Sequence, residues 1–151
     1  MAKNILSTAL GLIGGLFIIL SLEVAGHIIY PMPAGMNLND PAAISAYTSG
    51  APTIVFILLV LSYALGSLVA GLIAALMAPA NKMAKAITVG GILMGLGAYN
   101  LFMIPHPVWT VIISIFLFIP CSYLGGYWGI TILLKKQAKE NPNWIRDKTE
   151  Q

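Results

Sequence analysis

Charge is what this sequence has least of: charged residues make up 9% of its 151 positions, against about a quarter in soluble domains. That shortage excludes an ordinary water-soluble globule. Cysteine is nearly absent as well. With Cys121 alone, neither an internal disulfide nor a cysteine-based metal cluster can form. Eight basic residues give a net charge of +3, but they are scattered over three short segments without interleaved aromatics, which argues against nucleic acid as a partner. No lipidation signature is present at either end.

What is abundant is apolar. Hydrophobic residues make up 58% of the chain, and they fall into runs. No charge lies between Lys3 and Glu23, which is enough chain to cross most of a hydrocarbon core of about 30 Å. This predicts a first helix over residues 5–29. The run is longer than the apolar region of a signal peptide, and Glu23 and Ala25 do not make a small-x-small cleavage site, so a retained helix is expected. Pro31 and Pro33 end it. Asn39-Asp40-Pro41 then offers an N-cap carboxylate followed by proline at the first helical position, predicting a short helix outside the membrane over 41–48. The uncharged stretch 52–78 is a second span. From Ala86 to Leu134 no Asp, Glu, Lys or Arg occurs; as one helix this stretch would measure about 74 Å, so it must fold back. Pro105-His106-Pro107 is the break, because each proline removes a backbone donor and pushes its predecessor out of the helical region. Spans over 84–104 and 108–136 follow.

These lengths predict an all-α, integral membrane four-helix bundle forming a single membrane domain over 1–151, with an outer loop at 30–51 and a tail at 137–151. All eight basic residues fall before the first span, between the second and third, or after the fourth. The other two loops hold none, so the positive-inside rule predicts both termini in the cytoplasm, an N-in/C-in protein of the inner (plasma) membrane. Pro31-Met32-Pro33 and Pro105-His106-Pro107 also echo one another after spans one and three. Halves with an even number of spans would be parallel repeats.

Ionisable groups inside a span are costly, which makes Glu23 and His27 the first candidates for function. Four residues apart, they share a helix face near the outer end. Glu23 can hold a proton, pair with a protonated His27, or join it as a metal ligand; alternatively the two simply hydrogen-bond at the water interface. Asn100 and His106 reach the same depth and complete a candidate polar or ion site. Glu23, His27 and His106 would suffice for a metal with an open position, although two residues on one helix and a third in a distant loop are a weak metal motif, no cofactor is strongly implied, and a structural loop role for His106 is favoured. At 100° per residue Asn100 falls about 140° from Gly95, which directs it toward a second neighbour or lipid.

Small residues recur at packing spacing: Gly11 and Gly15, Gly91 and Gly95, Gly125 and Gly129, with Gly66/Ala70 and Ser67/Gly71 in the second span. They predict close helix contacts within the chain. Pro120 removes one hydrogen bond mid-helix, and Ser122 is placed to satisfy the freed carbonyl. Tyr30, Tyr99 and Trp109 have the depth of interfacial anchors, while Tyr127 and Trp128 lie deeper and are expected to pack inside. Trp144-Ile145, among charges, predicts a surface-associated tail.

Across Leu22-Glu23-Val24-Ala25-Gly26-His27-Ile28-Ile29-Tyr30-Pro31 and Asn100-Leu101-Phe102-Met103-Ile104-Pro105-His106-Pro107-Val108-Trp109, the chain resembles a group of small bacterial inner-membrane proteins with four helices. That resemblance covers nearly the whole chain and implies fold and compartment but no activity. Three functions fit the residues. The first is a non-enzymatic subunit or scaffold of a membrane complex, touching lipid and either other membrane proteins or copies of itself. The second is an oligomeric proton-linked or small-solute transporter using Glu23 and His27. The third is a metal-dependent membrane enzyme at the outer face. The thin catalytic inventory and the absence of soluble domains favour the first, with transport second and enzyme function third.

Overall fold

A computed structural model describes residues 2–37 and 39–141; Trp144, Ile145, Arg146 and Lys148 lie outside the described residues. The chain is all-α, with five helices in the order α1 (Ala2–Ile29), α2 (Pro41–Ser49), α3 (Thr53–Met77), α4 (Lys82–Met103) and α5 (Val108–Glu140). Four of them, all but α2, are long and apolar enough to cross a membrane. The shortest of the four, α4 at 22 residues, measures about 33 Å, which already exceeds the hydrocarbon thickness.

The distribution of side chains is that of a protein whose solvent is lipid. Most buried positions are small or hydroxylated. On α1 the buried row is Ser7, Gly11, Gly15 and Ile19; on α5 it is Thr110, Ser114, Phe118, Ser122, Gly125 and Gly129. Both rows step by three or four residues and so form one face of a helix. Large apolar side chains point outward instead, Phe17 at 69% and Phe116 at 74% exposed among them. A water-soluble core would reverse this arrangement. In a bilayer it is economical, because lipid already solvates the large side chains and helices gain from close backbone contact.

Helix α3 is the centre, packed against α1, α4 and α5. Its Gly66-Ala70-Ala74 row meets α1 and its Gly71-Ala75 row meets α5. A Cβ on Gly15 would stand 2.7 Å from Ala70 Cβ and 2.8 Å from the Gly66 carbonyl oxygen, and one on Gly11 2.8 Å from the Ala70 carbonyl oxygen. Rising numbers on α1 meet falling numbers on α3, so the two run antiparallel. A Cβ on Gly125 would fall on the Leu68 carbonyl, 2.9 Å from Leu72 N, and one on Gly129 would lie 3.0 Å from the Leu72 carbonyl oxygen. Only glycine fits these crossings.

Helix α4 packs differently from its glycine spacing. Nothing lies within 4 Å of a Cβ on Gly91 or Gly95, whereas one on Gly97 would fall on the Phe118 ring and one on Gly90 lies 3.2 Å from the Phe118 carbonyl oxygen. The buried row of α4 is Ala86, Val89, Gly90, Leu93, Gly97 and Leu101, one residue out of step with the Gly91/Gly95 pair. Ser122 does not serve its own helix either: its hydroxyl donates to the Ala86 carbonyl of α4, tying α5 to α4. Helix α5 continues through Pro120. Tyr127 and Trp128, expected inside, are 55% and 52% exposed; the inner face at that level is taken by Gly125, Gly126 and Gly129.

Helix ends follow from local chemistry. Asp40 caps α2, accepting the Ala42 N–H at 2.9 Å, with Pro41 at the first helical position. Asn81 adopts the left-handed region (φ 50°) in the short α3–α4 turn, which asparagine tolerates better than most residues. There Lys82 donates to the Ala78 and Ala75 carbonyls at the end of α3. Ile104 is extended (φ −112°, ψ 129°) ahead of Pro105. Helix α5 runs one turn beyond residue 136 because Gln137, Ala138 and Lys139 are good helix formers. It stops where Pro142 forces Asn141 out of the helical region.

Candidate functional site

Asn100, Glu23, His27 and His106 all line one cavity of about 530 Å³, set between the last turns of α1 and α4, the first turns of α3, and the segment carrying α2. Each arrives by a different local route. Glu23 and His27 stand one turn apart on α1. Asn100 sits in the last turn of α4, its backbone carbonyl accepting the Ile104 N–H at 3.1 Å. The two prolines around His106 fold it back, and its Nδ1 lies 2.6 Å from the Ile104 carbonyl oxygen. Phe56 of α3 stands edge-on to both His106 and Trp109, with centroids 6.2 and 6.5 Å away. That contact fixes the turn against α3. Asn100 faces inward because its reference is Gly97, about 60° away around the helix, and not the outward Gly95.

The segment between α1 and α3 covers this end of the helices. Helix α2 has no buried residue, so burial does not hold it. A reciprocal tyrosine clasp does. The Tyr47 hydroxyl donates to the Tyr30 carbonyl at 2.7 Å, the Tyr30 hydroxyl donates to the Tyr47 carbonyl at 3.4 Å, and the rings stack at 4.8 Å. Burial, with Tyr30 alongside, pushes the Tyr47 phenol above its ordinary range, so it remains a donor at any physiological pH. Tyr30 is thus a structural clasp as much as an interfacial anchor. Met32, Met36 and Met103 supply a soft apolar wall, a side chain that adapts to irregular ligands.

Beneath this cavity lies a second, smaller chamber of about 130 Å³, lined by α1, α3, α4 and α5. Glu23 and Asn100 line both spaces, so they form the waist between them. The chamber also contains Tyr63, which is 2% exposed and whose hydroxyl has no hydrogen-bond partner among the described residues. Its ring packs on Phe118 at 5.1 Å. Sequence reasoning passed over Tyr63, although a hydroxyl in the middle of an apolar span was signal enough to single it out.

The polar residues converge without pairing. Glu23 and His27 form no ion pair; the ion pair among the described residues is Lys136–Glu140, exposed on α5 at 3.9 Å. Among the described residues, no three His, Cys, Asp or Glu side chains gather closely enough to hold a metal ion, so Glu23, His27 and His106 share a wall and not a coordination sphere. Neither cavity is lined by a lysine or arginine among the described residues. The site therefore offers a mostly apolar volume with one carboxyl group, two imidazoles and one amide at its edge. Such a composition suits binding of a small amphipathic molecule. In comparisons with known proteins no family model, no curated protein and no solved structure matches this chain, so its function is argued from the site itself.

Proposed function

We propose that this chain is a multi-pass protein of the inner (plasma) membrane, with both termini in the cytoplasm, that binds and transports a small, largely apolar solute through the cavity at its outer end. The observation that carries this reading is the gathering of Glu23, His27, Asn100 and His106 around one cavity of about 530 Å³. A volume of that size is in the range of small-molecule sites, which combine apolar walls with a few convergent polar groups. Polar groups at membrane depth commonly mark solute or ion paths. Lys3, Lys82, Lys85, Lys135, Lys136 and Lys139 flank the helix ends remote from the cavity, which supports placing the cavity outside.

Two measurements test this. A phosphatase reporter, active only outside the cytoplasm, should be silent when fused after Gln151 and active when inserted in the segment before α2; the opposite pattern would reverse the orientation. Native mass spectrometry of the protein extracted from its own membranes should show a bound small molecule that is lost from Glu23→Gln. An identical set of bound masses in wild type and variant would remove the binding reading.

A second reading, a subunit of a membrane complex, draws on a different face. Gly91 and Gly95 point outward with nothing within 4 Å of a built Cβ, leaving α4 a surface that a neighbouring helix can approach closely.

A further inference from the structure

Glu23 is a carboxyl group set within a membrane helix and held in no ion pair; no lysine or arginine among the described residues lines either space that it borders, and the imidazoles of His27 and His106 line only the larger one. An unpaired charge in low dielectric is costly, and a cation brought to it offsets that cost. The smaller chamber places two further groups beside it. The half-buried Asn100 side chain lines the same space, and the Tyr63 ring closes it from α3, its hydroxyl buried away from the opening. A carboxyl group and an amide converging on one apolar cleft are the polar groups of a ligand site.

From these observations we infer that the chamber is the head-group end of the binding site and that it takes a primary ammonium, with the ligand's apolar body lying in the larger cavity. This rests on the solute-binding reading above. An ammonium carries three donors and no acceptor. The chamber answers with two acceptors, the Glu23 carboxylate and the Asn100 amide oxygen, and flanks them with Leu16, Ile19, Leu93 and Phe118. A carboxylate or phosphate head would meet Glu23 with like charge and no cation to balance it. Size agrees: about 130 Å³ holds a few water molecules, room for an ammonium and its first methylenes.

The test uses three soluble probes of one length, hexylamine, hexanol and hexanoate, with the purified full chain in neutral detergent and thermal unfolding as the readout. Partition into micelles is common to wild type and variants, so the difference between proteins isolates the site. Hexylamine should bind at least about tenfold more tightly than hexanoate, and Glu23→Gln should erase that preference. Asn100→Leu keeps the side chain's size and removes the amide oxygen, and should weaken hexylamine about fivefold, the worth of one net hydrogen bond. Equal binding of all three probes, or hexylamine binding untouched by Asn100→Leu, would overturn the ammonium assignment while leaving the larger cavity as a binding site. No binding of any probe, together with no bound mass in the native spectrum, would overturn both.

Discussion

Replacing Gly125 by alanine should destabilise the protein by about 3 kcal/mol or more, at the upper end of overpacking costs, and prevent close contact between α3 and α5. A Cβ there falls on the Leu68 carbonyl and within 2.9 Å of Leu72 N. Both obstacles are backbone, so no side-chain rotation relieves them. Gly71→Ala should behave alike, since its Cβ would fall on the Ser122 carbonyl and 2.8 Å from the Ser122 hydroxyl that ties α5 to α4. The control lies on α4. Gly91→Ala and Gly95→Ala meet open space and should be neutral or stabilising by up to about 1 kcal/mol through helix propensity. Equilibrium unfolding in mixed micelles, followed by circular dichroism, measures all four. A Gly125→Ala protein as stable as wild type would refute the packing described for α3 and α5. If a neighbouring helix seats on α4, the Gly91 and Gly95 variants should weaken association while leaving the monomer's unfolding unchanged.

The second large effect concerns the site and not the fold. Gly26 lines the larger cavity, and a Cβ built on it meets only Val55 Cγ1, at 4.0 Å, an ordinary contact distance. Phenylalanine should therefore be accommodated, with its ring filling ligand space. A ligand denied about 80 Å² of apolar wall loses about 2 kcal/mol, or about 30-fold in affinity. Gly26→Phe should accordingly lose the bound small molecule in native mass spectra while unfolding at the wild-type midpoint. Retention of that molecule by a folded variant would move the site elsewhere. The contrast between Gly26 and Gly125 is useful because both are buried glycines and only their neighbours differ.

The helices were legible in the sequence for a physical reason. Whether a segment can span lipid depends on its length and composition, both local quantities, and α2 was legible from Asn39-Asp40-Pro41 because a cap is also local. Which face of a span turns inward is not local. In α4 two glycine rows compete, Gly91/Gly95 at a spacing of four and Gly90/Gly97 at a spacing of seven, and only Phe118 and Ser122 on α5 select the second. The first row directs Asn100 toward a second neighbour or lipid, and the second turns it inward. Tyr127 and Trp128 were assigned inside on depth for the same reason, since depth along a helix carries no information about azimuth. For the site, sequence placed Glu23, His27, Asn100 and His106 at one level; that they share a wall depends on how α1, α3 and α4 approach one another. The hydroxyl of Tyr63 marks it in the sequence, but its burial without a partner among the described residues depends on how the helices pack.

The tyrosine clasp has a kinetic consequence. Because no residue of α2 is fully buried, the segment is held over the cavity chiefly by the two Tyr30–Tyr47 hydrogen bonds and their ring stack, each contributing about 1 kcal/mol, with the half-buried Ile44 and Tyr47 adding apolar contact. If solute enters as proposed above, the motion of this one segment admits it without rearrangement of α3 and its glycine crossings.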